Sequence, residues 1–394
     1  MQFNSDTYQI TDAGKLDNGL LVVGVIGLIL SAVGYFVNAD RFFFSYLTSF
    51  IFWLSIGTGA LFFVMLHHLT NAKWSVVLRR LTENIMAVLP VMAIFFIPLL
   101  FGIYELYHWS HADAVAADEL LQHKEPYLNT TFFIVRSGLY LLIWALLARA
   151  LFKVSKRQDE GHSESVDKSM KRISAPGMIL FALTLTFASF DWIMSLDSHW
   201  YSTIFGVYVF SGSLLAILAV LILVAQHFRN DGILADTITI EHYHDLGKLM
   251  FAFVVFWAYI AFSQFMLIWY GNIPEETLFF RHRWEPTGWK IVTLVILFGH
   301  FIVPFIALVT RASKRNLKWL MMVAIWILIV HYIDVFWLIV PNYGHGLTVS
   351  WMDLTTLLGI GGVFGWYGLR KMTEQPLLAI KDPKLEASIK FVNQ

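Results

Sequence analysis

The stretch TFASFDWIMSLDSHWYST, residues 186–203, places a carboxylate at the end of one of the most apolar segments of the chain. Asp191 stands between Phe190 and Trp192, inside a segment that is long and apolar enough to span a membrane. A charged side chain in hydrocarbon costs roughly 3 kcal/mol or more on insertion scales. We therefore expect Asp191 to face protein or water and to have a function.

The composition of the chain indicates an integral membrane protein. Its 394 residues are 57% hydrophobic and 14% charged, with a mean hydropathy of +0.63, whereas soluble proteins carry about 25% charged residues. The absence of cysteine excludes disulfides, thiolate iron–sulfur ligation and CxxCH haem attachment from this chain. The N-terminus has no basic segment before a short apolar core, so no cleaved signal peptide is predicted. A net charge of +0 gives no indication of a nucleic-acid partner.

Ten segments meet the requirement of about 20 mostly apolar residues for a membrane-spanning helix. The predicted spans are Leu20–Val37, Phe42–Leu66, Met86–Leu106, Thr131–Phe152, Ala175–Met194, Thr203–Ala225, Leu249–Tyr270, Trp289–Thr310, Trp319–Val340 and Leu354–Leu369. The last one is short and contains the glycine-rich run LGIGGVFGWYG, residues 358–368. Because glycine permits close helix approach, we expect this helix to pack on a neighbour rather than to face lipid.

A faint internal repeat divides the middle of the chain. Two SKR triplets, at residues 155–157 and 313–315, are 158 residues apart, and Ser55 and Ser211 are 156 apart. The predicted fold is an all-α polytopic membrane protein with two related four-helix bundles, spans two to five and spans six to nine, between peripheral first and last helices. The predicted boundaries are 1–19 for an N-terminal segment, 20–41 for the first helix, 42–194 for the first bundle with a loop at 153–174, 195–340 for the second bundle, 341–370 for the last helix and 371–394 for a C-terminal tail.

The distribution of Lys and Arg predicts which way the chain crosses the membrane. Of the 28 such residues, 22 lie on the side of the predicted termini and 5 on the other side, while Arg136 lies inside the fourth span. Cytoplasmic loops carry the excess of positive charge. We therefore predict that both termini are cytoplasmic.

Three ionisable residues are predicted to share a depth in the first bundle. At about 1.5 Å per helical residue, Asp191 lies roughly 24 Å into the fifth span. Arg136 is five residues into the fourth span, and Glu105 closes the third. Arg136 and Asp191 are therefore predicted to pair, either as part of a functional site or as a structural ion pair, and Glu105 either joins them or lies at the membrane interface.

The second bundle has its own buried polar residues. In LIVHYIDVFWLIVP, residues 328–341, His331 and Asp334 are three apart and share one helical face. His300 lies near the middle of the eighth span, four residues before Pro304. Carboxylate and histidine side chains inside a bundle, with Ser and Thr hydroxyls towards either face, are typical of a proton relay. A metal site is not predicted, because HisxxAsp provides only two ligands.

Two long motifs carry a resemblance to a known family. FASFDWIMSLDSHWYSTIFG, residues 187–206, and HYIDVFWLIVPNYG, residues 331–344, closely resemble the F subunits of bacterial alternative complex III. That complex is a quinol:cytochrome c oxidoreductase, and its F subunit belongs to the NrfD-type family, which is related to the membrane subunit of polysulfide reductase. The resemblance covers essentially the whole chain.

The resemblance implies a subunit without a redox cofactor of its own, in the bacterial inner membrane. The implied partners are the homologous C subunit, the iron–sulfur B subunit, haem-c subunits, small membrane subunits and, in some assemblies, a terminal oxidase. Iron–sulfur clusters and c-type haems belong to those partners, and a bound quinone is possible. For Asp191, His331 and Asp334 the resemblance implies a role in proton half-channels; Arg136, Glu105 and His300 are added from their depth.

Other functions remain open at this level. The chain could hold its own quinol site, with Asp191 or His331 as proton acceptor, or be a secondary transporter with an inverted repeat, for which Pro90 and Pro98 in the third span are the only sign of a broken helix. It could also be a structural scaffold. A dihaem cytochrome is not predicted, because His300 and His331 are the only deep histidines.

Overall fold

The computed structural model describes residues 5–10, 14–161, 164–285, 288–344 and 346–393. These residues form helices and loops, with no strand among them, which confirms the all-α class. The first part of the chain contains α1 Gly14–Val37, α2 Ala39–Leu69, α3 Val76–Met86, α4 Leu89–Phe95, α5 Ile97–Phe101, α6 Ile103–Leu106, α7 Ala112–Ala117 and α8 Glu119–Lys124.

The remainder of the chain contains longer helices joined by short connections. These are α9 Thr130–Glu160, α10 Glu164–Trp192, α11 Phe205–Asn230, α12 Ile240–Gly271, α13 Pro274–His282, α14 Trp289–Ile296, a π-helix at Leu297–Ile302, α15 Val303–Leu308, α16 Arg311–Arg315, α17 Leu317–Ile339, α18 Trp351–Thr373 and α19 Leu385–Ile389. Short 3₁₀ helices lie at Ser5–Tyr8, His108–Ser110, Met194–Leu196 and Val340–Asn342.

Within the described ranges, nine helical segments are long and apolar enough to cross a membrane. They correspond to the first nine predicted spans, and they indicate a multi-pass membrane protein. The glycine-rich α18 is not among them, although its 23 residues would extend about 34 Å at the rise of an α-helix. A tenth crossing therefore stays a prediction.

The third span differs most from its predicted bounds of Met86–Leu106. Its apolar helical segment begins ten residues earlier and covers Val76–Phe101. Pro90 and Pro98 each lie in the first turn of a new helix, α4 and α5, because proline lacks an N–H group and its ring excludes the preceding helical carbonyl. The break hinted at by these two prolines is therefore present.

The segment predicted as a loop at residues 153–174 is mostly helical. Helix α9 continues to Glu160 and α10 begins at Glu164. Both spanning helices thus extend past their apolar parts, and Gly161 follows the end of the first.

Helix α2 lies at the centre of the fold. It packs against α3, α10, α11, α17 and α18, and 83% of its most apolar part is buried inside the protein. Helix α9 packs against α4 and α10, and α11 packs against α12 and α17. The contacts of α2 with α10, α11 and α17 therefore bring the fifth, sixth and ninth spans to one buried region.

Helices α1 and α18 approach each other through glycines. A Cβ atom on Gly27 would lie 2.5 Å from the backbone nitrogen of Gly359, and one on Gly24 would lie 2.8 Å from the nitrogen of Val363. Such distances are possible only when the side chain is a hydrogen, as in small-residue helix contacts of membranes. The predicted packing of the glycine-rich helix on a neighbour is confirmed.

Polar contacts define two faces of the molecule. Leu377 donates a backbone hydrogen bond of 2.8 Å to the Tyr8 carbonyl, so both ends of the described chain lie on one side, which we call the terminal face. On the opposite face, Arg41 at the start of α2 contacts both carboxylate oxygens of Asp353 at 2.6 and 2.8 Å. Ser45 donates to the same carboxylate at 2.8 Å, so this buried ion pair joins α2 to α18.

Candidate functional site

Arg136 and Asp191 form a bidentate ion pair near the opposite face. The Nε and Nη2 atoms of Arg136 each donate to the Asp191 carboxylate at 2.9 Å, and the Tyr140 hydroxyl donates to it at 2.9 Å. The Asp191 side chain is fully buried. The pair expected from the common depth of these residues is therefore present, and it joins α9 to α10.

The guanidinium of Arg136 is enclosed on its remaining sides. Its Cζ atom lies 3.8 Å from the ring centre of Tyr127 and 4.2 Å from that of Phe132. Its Nη1 atom donates to the Tyr127 carbonyl at 2.8 Å. Charge-assisted bidentate bonds and ring-face contacts both stabilise a cation. With partners on every side, the pair fits an anchor between helices better than a proton carrier.

Glu105 is separate from this ion pair. It lies on α6, half-buried, and its Oε2 atom is buried without a hydrogen-bond partner. Among the described residues, no hydrogen bond or ion pair joins it to Arg136 or Asp191. Of the three residues predicted at a common depth, Arg136 and Asp191 thus form an ion pair, and Glu105 is an independent acid.

His331 lies where three helices meet. Its Nε2 atom is 2.9 Å from the Ser55 hydroxyl, across the contact of α17 with α2. On the side of α11, a Cβ atom added to Gly212 would lie 2.9 Å from the imidazole Cε1, so glycine leaves the space that the ring fills. The Nδ1 atom is buried without a partner, and one ring nitrogen therefore remains available.

Asp334 lies one turn further along α17 and has a different environment from Asp191. The Tyr208 hydroxyl of α11 donates to its carboxylate at 2.5 Å. The side chain is buried, and no Lys or Arg of the described residues forms an ion pair with it. The second buried carboxylate thus has a hydrogen-bond donor but no cation.

His300 faces His331 from the eighth span. It belongs to the π-helix at Leu297–Ile302, a distortion that is frequent at functional sites. Its ring centre is 4.0 Å from that of Trp257 and 6.2 Å from that of His331, and the two imidazoles are nearly parallel at 14°. Both nitrogens of the fully buried His300 ring lack partners, an arrangement that is costly without a bound water, proton or ion.

His300, His331 and Asp334 form one compact group, which we call the buried cluster. Each offers one ligand atom, and these atoms lie within 4.8 Å of one another. HisxxAsp alone provides two ligands, but His300 adds a third from another span, so the number of ligands does not exclude a metal site. The group has the donor types to bind a proton or a divalent cation.

The hydroxyl side chains expected to line a proton route mostly bond to their own helices. Thr58 donates to the Leu54 carbonyl at 3.0 Å, and Ser213 donates to the Val209 carbonyl at 2.9 Å. Of the hydroxyls predicted along α2, α10 and α11, only Ser55 contacts the cluster. Most of these hydroxyls therefore satisfy a backbone carbonyl of their own helix.

A second buried charge network lies at the terminal face and was missed by the sequence analysis. Arg80 donates to Asp159 at 2.7 Å and to Glu83 at 3.3 Å, while the Ser155 hydroxyl donates to Glu83 at 2.6 Å. Arg80 and Glu83 are completely buried. The network joins α3 to the extended end of α9.

The same network includes the C-terminal segment. Arg79 donates to Asp382 at 2.6 Å, and Gln158 donates to it at 3.1 Å. Burial raises the pKa of the Asp382 carboxyl, but the positive charge of Arg79 and the hydrogen bonds outweigh burial, so the pKa is lowered. The residues after α18 are thereby tied to α3 and α9.

One sequence signal pointed to this network. In RRLTE, residues 79–83, Glu83 follows Arg79 by four residues and Arg80 by three, which places all three on one helical face. Assigning the segment to a loop removed that signal, and nothing near Asp382 in the sequence pointed to α3.

Comparison with known proteins leaves the site to be interpreted from its geometry. No protein-family model matches the sequence, and no curated protein matches it.

Proposed function

We propose that this chain is a non-redox membrane subunit of a bacterial quinol-oxidising respiratory complex and contributes a proton-translocation pathway. The complex would pass electrons to cytochrome c or to an associated oxidase. The two long motifs around Asp191 and around His331 support the assignment, as does the absence of cysteine ligands for a cluster or a covalent haem.

The buried cluster is the observation that carries the proton pathway. An ionised carboxylate without a cation is costly in a membrane interior, whereas the protonated acid is not, so Asp334 offers a place to hold a proton. His331 and His300 lie beside it with unpartnered nitrogens that accept one. A proton can thus be exchanged among these three groups, and no unpaired charge has to remain in the interior.

The proposal also specifies the fold and its orientation. It takes α18 as a tenth span and groups the second to ninth spans into two four-helix bundles; the packing of α9 on α10 and of α11 on α12 and α17 supports this grouping. The terminal face would be cytoplasmic, because the excess of Lys and Arg lies there. The membrane is the bacterial inner membrane, and the partners are the iron–sulfur, haem-c and homologous quinol-oxidising subunits.

The direct test uses the complete complex in liposomes with an internal pH indicator. Asp334→Asn and His331→Gln should abolish quinol-driven proton movement while electron transfer continues. Asp40→Asn is the matched control, because Asp40 is an exposed carboxylate. Normal pumping by both cluster variants would overturn the proposal.

A simpler experiment tests the assembly. The tagged chain is extracted gently, and the co-purifying subunits and the visible spectrum are recorded. Haem c and iron–sulfur signals with quinol-dependent reduction of an acceptor support the proposal. A colourless chain purified alone would contradict it and would direct attention to transport assays.

A divalent cation at the buried cluster is the second candidate, because three residues of the kinds that bind zinc, two His and one Asp, lie together there. Elemental analysis of the purified chain distinguishes the two. One zinc per chain in the wild type, lost in His300→Gln, would favour the metal site, whereas a ratio far below one would favour the proton site.

A further inference from the structure

A cavity near the terminal face is lined by an unusual number of cations. Its volume is about 430 Å³, and it lies between the third span, α9 and α18. Part of its lining is apolar or aromatic, from Ala87, Pro90, Phe152 and Tyr367. The rest consists of five basic side chains: Arg149, Lys153, Lys156, Arg157 and Lys371.

These cations have little negative charge beside them. Glu374 is 3.6 Å from Lys156 and also pairs with Lys371. Within the described part of the chain, no acidic residue forms an ion pair with the three basic residues Arg149, Lys153 and Arg157. The cavity therefore has a strong positive excess, since Glu374 is the one carboxylate that pairs with its lining cations among the described ion pairs.

The surface of α9 leads from the membrane into this cavity. Four apolar side chains on one helical face are at least half exposed, namely Val135, Leu139, Leu142 and Leu146. Arg149 and Lys153 continue the same spacing of three and four residues, so they lie on the same face. An apolar stripe thus ends directly at the cationic cavity.

We infer that the cavity binds the headgroup of an anionic phospholipid carrying two phosphate groups. Basic pockets between membrane helices on the cytoplasmic side favour such headgroups, and long basic side chains extend their charges to the interface while their stems stay in apolar surroundings. Five cations against one carboxylate suit two phosphates, and the exposed stripe of α9 receives the acyl chains. This inference does not depend on the proton pathway.

The test is native mass spectrometry of the full-length chain in detergent, titrated with cardiolipin, phosphatidylglycerol or phosphatidylcholine. Cardiolipin should bind most tightly and phosphatidylcholine least. The double variant Arg149→Gln/Lys153→Gln should bind cardiolipin about 30-fold more weakly, because two cations near the lipid phosphates are lost.

The matched control is Arg172→Gln/Lys318→Gln, which removes two exposed cations outside the cavity and should leave binding unchanged. Equal loss in both double variants, or none in either, would overturn the site. Inorganic pyrophosphate provides the last comparison. If it displaces cardiolipin at equal concentration, the cavity is a site for free phosphate groups, and the lipid assignment is overturned.

Discussion

Arg136 donates two hydrogen bonds of 2.9 Å to Asp191 and a third bond of 2.8 Å to the Tyr127 carbonyl, while Tyr140 donates to the same carboxylate. Asp334, on the ninth span, accepts a hydrogen bond from the Tyr208 hydroxyl and forms no ion pair with a Lys or Arg of the described residues. The two buried carboxylates thus differ in kind: Asp191 is neutralised by an arginine, whereas Asp334 has a hydroxyl donor and no ion pair with a described Lys or Arg.

Asp191→Asn should destabilise the protein by about 3–5 kcal/mol, because Arg136 would remain buried without its anion. The measurement is the unfolding midpoint in detergent. Arg136→Met/Asp191→Leu removes both charges and should recover much of the loss. An Asp191→Asn protein as stable as the wild type would show that the ion pair does not anchor α9 to α10.

Gly212→Ala should impair proton movement without removing any titratable group. The new methyl carbon would lie 2.9 Å from Cε1 of His331, so the imidazole must shift, which disturbs its 2.9 Å contact with the Ser55 hydroxyl. Gly138→Ala is the control, because nothing lies within 4 Å of a Cβ there and alanine favours the helix by about 1 kcal/mol. Pumping in liposomes is compared for the two variants; equal rates would contradict the placement of His331 against α11.

Gly27→Leu should detach α1 from α18, since even a Cβ atom would lie 2.5 Å from the Gly359 nitrogen. Gly19→Leu on the same helix should have no such effect, because its Cβ meets no atom within 4 Å. The chain has no cysteine, so a pair introduced at Leu20 and Gly365 reports the contact by disulfide formation. Undiminished crosslinking in Gly27→Leu would refute the close approach.

Asp382→Asn should release the C-terminal segment from α3 and α9 and increase its cleavage by protease at neutral pH. In the wild type the pKa of Asp382 is lowered, so its stabilising contribution is complete above the ordinary Asp value of about 3.9 and disappears as the pH falls through the lower folded value. Glu386→Gln on the same segment is the control, because its ion pair with Lys390 is exposed. Cleavage at wild-type rate would argue against this role of Asp382.

Hydropathy located the first nine spans well, because a helix that crosses about 30 Å of hydrocarbon needs a long run of apolar residues. It failed at α3, which was predicted as part of a loop. Glu83 forms ion pairs with Arg79 and Arg80 there, so these charged residues lie within a buried helix. The Arg136–Asp191 pair was predictable from depth on neighbouring spans. The approach of His300 to His331 was not, because it depends on a π-helix and on how the eighth and ninth spans rotate against each other.

The ion pair of Arg41 with Asp353 joins residues that are 312 positions apart in the chain. At synthesis rates of about 5–20 residues per second, Arg41 precedes its partner by roughly 15–60 s. Throughout that interval Arg41 lacks the carboxylate that it contacts in the folded protein. The fold is therefore complete only after the last long helix has been synthesised. In a chain truncated before it, the packing around α2 would be incomplete, and the quality-control proteases of the cell would degrade it.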